Sequence, residues 1–571
     1  MKTTDIIAKK VSLCYIDSAN NRNMDFEYIL RILQRRIEER CGAVIADRKT
    51  DMTIRLGIDA NIGEEGFRVE DVGNNIIQVT GNDKMGLIYG TGKFLHTSEY
   101  LNQGLIPSKW RGTSVPYGKI RGMYFATHFF NWYHVAPKNE FVRYIEDLVL
   151  WGVNALMLVF PIINLHGWDD EETDKCFVQI RSMFVVAKKL GVKVGFLIPP
   201  NQDFKIPVPE FKAVPNPDPL ERRGNHGNNI CPAKPGAENY IVKNVEEAIR
   251  RLEGIEPDFL CMWPYDEGGC ACENCFPWGA NGYLKISKKV VETTRKYYPE
   301  IKTIISTWMF DTPNEKEWEG LSKELEQGNN WADFILADAH GDFPKFPLIN
   351  RVPGGLPLLN FPEISMWGLY PWGGYGATPL PHRFERLWNQ VGTIVKGGFP
   401  YSEGIYEDIN KVIISQFYWD SLKTADESLR EYISYEFSNY VIDDVLKMIS
   451  LIEKNHIKVA EGEKADLNDA VTAYHLAIKA DEKLPEWAKK SWRWRILFIR
   501  TILDCERYGK VSDNEWPWPD QKSWGEPLEN NKPAENAMKE LIGIYHSMPV
   551  DDGIYPQHSW IRPPLKNCET I

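Results

Sequence analysis

From Lys119 onward, short apolar runs alternate with longer stretches in which apolar residues recur every three or four positions. The short runs read as buried strands and the periodic stretches as amphipathic helices. Strand candidates lie at 119–125, 154–160, 192–198, 257–263, 301–308, 333–338, 356–361 and 395–401. Helical spacing fills most of the intervals, as in Phe141 to Trp151 and Cys176 to Leu190. Eight such strand–helix units predict an α/β fold, a (β/α)8 TIM barrel, over residues 116–420. Residues 1–115 have another rhythm. Tyr28 to Arg40 is helical in spacing, Thr53 to Ile58 alternates as a strand does, and two strands flank the turn Gly73-Asn74-Asn75. A helix then opens near Met85, so an N-terminal α/β domain is expected. Residues 421–571 predict a C-terminal α-helical domain, with helical spacing kept to about 508. The last sixty residues, with Trp516-Pro517-Trp518-Pro519, read as an ordered loop laid over the surface.

Composition narrows the function classes. The chain of 571 residues has 67 basic and 79 acidic residues, a net charge of −12. This balance argues against nucleic acid as a partner, because phosphate binding needs a basic surface. No apolar run approaches the roughly 18 residues of a membrane helix, and the N-terminus lacks the pattern of a secretory signal. A cytoplasmic protein is expected, with a homodimer left open. The aromatic load of 20 Trp, 25 Tyr and 25 Phe is high. Many of these rings fall near strand ends, where they can stack on sugar faces as well as fill a core.

The chemistry collects where barrel enzymes keep it, just past the strand ends. His128, Asn201, Trp308, Asp311, Asp338, His340, Trp367, Tyr370 and Glu403 all follow strand candidates. The most informative stretch is Trp263-Pro264-Tyr265-Asp266-Glu267-Gly268-Gly269 after the fourth strand. Adjacent carboxylates repel each other, so folding gives little reason to put them there between aromatics. Against an apolar wall, the pair can split into a proton donor and a permanent anion. A polar loop after a strand is the plain alternative for any Asp-Glu pair.

Together, Gly66-Phe67-Arg68-Val69, Ile76-Ile77-Gln78-Val79, Gly86-Leu87-Ile88-Tyr89-Gly90, Arg121-Gly122-Met123, Asp266-Glu267 and Tyr401-Ser402-Glu403 resemble the hexosaminidase-like superfamily of glycoside hydrolases. The similarity is greatest to family 20 β-N-acetylhexosaminidases, with the N-terminal motif also like that ahead of the barrel in families 67 and 84. The resemblance implies an exo-acting, retaining, substrate-assisted hydrolysis of a carbohydrate substrate through an oxazolinium intermediate. Asp266 would orient the 2-acetamido group and Glu267 would act as the acid and base. Trp263, Trp308, Trp367 and Tyr370 would wall the acetamido pocket; Glu403 would bind sugar hydroxyls and His128 and His340 would contact substrate. The chain departs from family 20 in lacking its Asp and Arg after the first strand and its His-Gly-Gly lead-in to Asp-Glu. GlcNAc and GalNAc both stay open. A family 67-like α-glucuronidase is the alternative; it needs a cation for the uronate, and Lys345, Lys396 and Lys411 are the candidates. A catalytically silent glycan-binding barrel is the non-enzymatic alternative.

Directly after the acids come Cys270, Cys272 and Cys275, three thiols in six residues. In a reducing compartment this spacing suggests thiolate ligation. With Cys231 or Cys261 as a fourth ligand it would make a structural zinc site. Reduced buried thiols or a disulfide are the alternatives. No cofactor is expected for catalysis.

Overall fold

The protein is described here by a computed structural model, which covers every residue except 1–5, 17–25, 128–131, 216–227, 266–267, 312–315, 329, 339–340, 342, 366, 368–375, 511–531 and 546–571. Its N-terminal strands are β1 (Lys10–Tyr15), β2 (Val44–Ile45), β3 (Met52–Ile58), β4 (Phe67–Gly73) and β5 (Ile76–Gly81). A small hairpin follows, β6 (Glu99–Leu101) with β7 (Gly104–Ile106), and then β8 (Gly112–Ser114). The six-stranded sheet runs β2-β1-β3-β5-β4-β8, with β4 and β5 forming the expected antiparallel hairpin. Helices α1 (Phe26–Arg40) and α2 (Lys84–His96) accompany it. The Asp83 carboxylate caps α2 by accepting from the Gly86 amide, 2.9 Å away. Gly86 also explains its motif: a Cβ there would lie 2.1 Å from the Gly66 carbonyl oxygen, so only glycine allows that approach.

All eight expected barrel strands are present. They are β9 (Ile120–Phe125), β10 (Ala155–Val159), β11 (Lys193–Ile198), β12 (Phe259–Met262), β13 (Lys302–Ser306), β14 (Phe334–Ala337), β15 (Leu358–Asn360) and an eighth split into β16 (Val395–Gly398) and β17 (Tyr401–Ser402). Every neighbouring pair is parallel, and β9 bonds to β10 on one side and to β16 and β17 on the other, which closes the barrel. The split has a local cause. Gly397 has φ +116°, and a Cβ there would strike the Ile120 carbonyl oxygen at 1.8 Å. Pro400, without an N–H, then interrupts the ladder before β17.

Helices α3 (Trp132–Val135), α4 (Lys138–Leu150), α5 (Glu171–Leu190), α6 (Ala237–Arg251), α7 (Gly282–Tyr297), α8 (Lys316–Glu326), α9 (Phe346–Ile349), α10 (Pro381–Val391) and α11 (Asp408–Trp419) accompany the strands. The chain then stays helical through α12 (Ala425–Glu436), α13 (Ile442–Ala460), α14 (Leu467–Lys483), α15 (Glu486–Lys489) and α16 (Trp492–Lys510). No described helix is long and apolar enough to cross a membrane. In the tail, expected to be a surface loop, α17 (Lys532–Tyr545) packs on α16. Ala534, Ala537 and Leu541 supply its buried stripe, a helical spacing in a stretch otherwise rich in Pro and Trp. The Trp516–Pro519 motif lies outside the described residues.

Buried ion pairs join these parts. Arg121, at the start of the first barrel strand, is fully buried and pairs with Glu65 of the N-terminal sheet. Further round, Arg36 of α1 bonds Asp147 of α4 at 2.6 Å, and Arg40 bonds Glu436 of α12 at 2.9 Å. Arg493 of α16 completes the lattice, 2.7 Å from Asp408 of α11 and 3.1 Å from Asp147. Burial alone would raise the Asp147 carboxyl, but the guanidinium groups of Arg36 and Arg493 hold it below its ordinary value. Removing one member of such a lattice strands buried charge. Arg493→Ala is therefore expected to cost about 3–5 kcal/mol, measured as a lower denaturation midpoint in urea. A loss under about 1 kcal/mol, the scale of an exposed pair, would refute the structural role of the lattice.

Candidate active site at the mouth of the barrel

Five aromatic rings from different strands meet at the C-terminal ends of the barrel. Trp263 directly follows β12 and stacks on Trp308, which lies beyond β13, with centroids 5.7 Å apart and planes inclined by 26°. Phe361, just past β15, lies 5.1 Å from Trp263 and 5.1 Å from Tyr124 of β9. Tyr401 of β17 stacks on Tyr124 at 5.5 Å. All five are buried, and tilted or offset contacts of this kind suit the ring quadrupoles. They give the mouth an apolar floor.

Beside this floor is Glu403, one residue past β17. Its Oε1 accepts the Tyr401 hydroxyl, and its Oε2 has no hydrogen-bond partner among the described residues. Burial pushes the carboxyl well above its ordinary value of 4.5; the charges of Glu363 and Glu407 push the same way, and the Tyr401 hydrogen bond opposes them. Glu403 therefore favours its protonated form more than an exposed carboxyl does. Glu407 fixes its position. Its Oε1 accepts from the Glu403 amide at 2.8 Å, the Gly404 amide at 2.9 Å and the Ser402 hydroxyl at 2.7 Å. It stands at the N-cap position of α11, where its carboxylate caps no helix amide; it serves the preceding loop and lies 3.6 Å from Lys411 Nζ, one turn into the helix. Asp338 and Glu363, past β14 and β15, line a small cleft with Phe361. Sequence reading missed Glu363, Phe361 and Tyr124. An acid two residues behind a fully apolar strand end was the available signal for Glu363.

Asp266 and Glu267 lie outside the described residues, as do His128, His340 and Tyr370. The residues flanking the acid pair are described and firmly held. The Pro264 carbonyl accepts from Trp278 Nε1 at 2.5 Å, and the Tyr265 hydroxyl donates to Glu317. On the far side, Asn201 Oδ1 accepts from the Gly269 amide at 3.0 Å and Asn201 Nδ2 donates to the Gly269 carbonyl at 2.9 Å. Asn201, expected among rim residues of possible contact with substrate, is fully buried and structural. Asp311 is exposed, and its carboxylate is also spent on structure, accepting from Trp318 Nε1 at 2.6 Å and the Lys345 amide at 2.7 Å.

Trp367 has other partners. The Arg383 guanidinium lies 4.0 Å from its ring centroid, and His456 of α13 stacks on it at 5.9 Å. These contacts place it at the seam between the barrel and the helical array. Two of the three lysines weighed for a uronate have other partners. Lys411 is fully buried, donating to the Gly404 carbonyl and to the Tyr144 hydroxyl. Lys396 is near the start of its strand and donates to the Tyr117 hydroxyl. A cavity of about 1040 Å³ opens at the opposite end of the barrel, lined by first residues of strands such as Ile120, Lys193, Phe259 and Lys302. Among the described residues, its lining includes none of the strand-end acids or stacked rings. The four sulfurs of Cys231, Cys270, Cys272 and Cys275 come together within 4.8 Å of one another, whereas Cys261 stays inside β12.

No family model matches the chain, and no curated protein matches it in sequence. Solved structures do match. A GH138 enzyme targeting pectin rhamnogalacturonan II is 12% identical with a TM-score of 0.56, over 94% of this chain and 74% of that one. A GH115 4-O-methyl-α-glucuronidase with specificity for decorated arabinogalactans is 12% identical with a TM-score of 0.57, over 98% and 79%. The family 89 glycoside hydrolase from Clostridium perfringens, in complex with GlcNAc-α-1,4-galactose, is 12% identical with a TM-score of 0.58, over 92% and 66%. The protein shares its fold with these glycoside hydrolases.

The raised Glu403 pKa has a stability consequence. The folded chain binds this proton more tightly than the unfolded one, so native stability falls as pH rises from 4.5 toward the folded value. Glu403→Gln keeps the shape of the neutral acid and has no proton to lose. Its melting temperature, relative to the parent, is expected to rise between about pH 5 and pH 8. A difference that stays constant across that range would show that burial does not favour its protonated form.

Proposed function

We propose that this protein is an exo-acting, retaining β-N-acetylhexosaminidase that works by substrate-assisted catalysis. The observation that carries the reading is the barrel mouth, where stacked rings and the buried Glu403 gather, together with the Asp-Glu pair that the sequence sets three residues after the buried Trp263. The stacked Trp263 and Trp308 offer an apolar wall of the kind an acetamido methyl group needs. The fold, shared with glycoside hydrolases, supports the reaction class.

In this reading the substrate's acetamido oxygen attacks its own anomeric carbon, and the bond to the leaving oxygen breaks. Asp266 orients the amide N–H and stabilises the positive charge that develops on the oxazolinium ring. Glu267 gives its proton to the leaving oxygen, then takes one from the water that opens the ring. Glu403, whose Oε2 has no hydrogen-bond partner among the described residues, would bind a sugar hydroxyl, and in its protonated form, which burial favours, it would both donate and accept. A family 89 glycoside hydrolase of the same fold is solved in complex with 2-acetamido-1,2-dideoxynojirimycin, a ligand that carries an acetamido group. A uronate needs a cation at this rim, and of the three lysines weighed for it, Lys411 and Lys396 are committed to other partners.

Glu267→Gln and Asp266→Ala are each expected to lower kcat on p-nitrophenyl β-N-acetylglucosaminide or galactosaminide by about 10²–10⁴-fold. A thiazoline analogue of the oxazolinium ring should compete with substrate. Full activity in both variants, hydrolysis of a p-nitrophenyl α-glucuronide instead, or hydrolysis of no glycoside at all, would each reject the proposal.

A further inference from the structure

We propose that Cys231, Cys270, Cys272 and Cys275 bind one structural zinc ion, which clasps the loop after the fourth barrel strand to the loop ahead of α6. The site is independent of the glycosidase reading. A tetrahedral zinc with four thiolates at about 2.3 Å needs sulfurs about 3.8 Å apart. Cys231 Sγ lies 3.5 Å from Cys272 Sγ and 4.0 Å from Cys275 Sγ, and all four sulfurs fall within 4.8 Å of one another. These separations are too long for a disulfide, which needs about 2.05 Å, and the four cysteines are free.

Reduced thiols that merely fill a core would have no reason to converge on one point. Here the backbone is arranged for convergence. Asn201 Nδ2 donates to the Ile230 carbonyl at 2.8 Å and to the Gly269 carbonyl at 2.9 Å. Ile230 and Gly269 are the residues immediately before Cys231 and Cys270, so one buried side chain sets the relative position of the two ligand segments. The Cys275 and Phe276 amides both donate to the Cys272 carbonyl at 2.9 Å, a tight turn that brings Cys272 and Cys275 to one side. The amides of Ala233 and Cys272 each face the sulfur two residues earlier, Cys231 and Cys270. Amide donors to sulfur orient thiolates and stabilise their charge beside a metal.

Four thiolates fill a tetrahedral coordination sphere and leave no position for a reactive water, so the ion is structural. Its effect falls on the segment that leaves β12. Trp278 reaches back from just beyond the cysteines to the Pro264 carbonyl, and Gly268 and Gly269 lead straight into Cys270. A metal there closes a short loop around the chain on either side of the acid pair. Such a closure replaces an extensive apolar core in holding a long loop still.

Elemental analysis of the full-length protein, purified under reducing conditions without added metal or chelator, is expected to find about one zinc per chain. Acid or denaturant should release that zinc to 4-(2-pyridylazo)resorcinol, with the four thiols becoming reactive together. After chelation under denaturing conditions and refolding with cobalt(II) alone, the intense visible bands of a tetrahedral thiolate site should appear. Cys272→Ser should lower bound zinc at least about tenfold, the scale for loss of a ligand, and lower the melting temperature. Zinc below about a tenth of an equivalent with four reactive thiols in the native protein, stoichiometric iron in its place, or a disulfide among the four would each overturn the assignment.

Discussion

Charge that is buried must find opposite charge, and in this chain that requirement ties the barrel to its neighbours. Asp147, Asp408, Glu436, Arg36, Arg40 and Arg493 all lie out of water. Each carboxylate is within ion-pair distance of a guanidinium from another helix. Such a lattice is not the cheapest way to gain stability, because apolar replacements of equal volume can do as well. Its consequence is geometric. The guanidinium forks are satisfied in one arrangement of α1, α4, α11, α12 and α16, and a shift of any helix leaves a charge unpaired.

The constraint reaches the barrel mouth through α11. Asp408, in its first turn, is held by Arg493 and by the Tyr432 hydroxyl at 2.7 Å. Glu407 is the preceding residue, and it gathers the amides of Glu403 and Gly404 and the Ser402 hydroxyl. The position of the buried acid at the mouth therefore depends on an ion-pair lattice that touches no substrate. Burial raises the Glu403 pKa, and the hydroxyl it accepts belongs to Tyr401, which packs with Tyr124 and Phe361. On the facing strand, the acid pair is bracketed by fixed residues: Tyr265 against Glu317, Pro264 against Trp278 and Gly269 against Asn201. Both sides of the mouth are thus held by hydrogen bonds from outside it, which is the condition for preorganised chemistry.

The barrel was legible because each of its strands is buried on both faces and so writes an unbroken apolar run into the chain. The predicted strands match the observed ones to within a few residues, and the Gly66 and Gly86 motif marks a true backbone contact. The candidate site was legible in part. Trp263, Trp308 and Glu403, which the structure brings to the barrel mouth, could be picked out because they stand just beyond strands; spacing marked three of the four converging cysteines and left Cys231 and Cys261 open as the fourth. The same rule of position also gathered Asn201 and Asp311, whose side chains turn out to hold loops, and Trp367, which belongs to the seam with α13. A strand end tells where a residue stands but not which way its side chain is spent.

Local pattern determined the elements, their order and the polar chemistry that follows the strands, since periodicity and turn residues act over a few positions. Tertiary structure decided the partners. Tyr124 meets Tyr401, Cys231 meets Cys272 and Arg36 meets Asp147 only once the barrel closes and the helices dock. Contacts at such separations depend on how strands and helices register in three dimensions. No stretch of sequence carries that register by itself, because the burial that raises the Glu403 pKa and gives Arg493 its three acids exists only in the assembled whole.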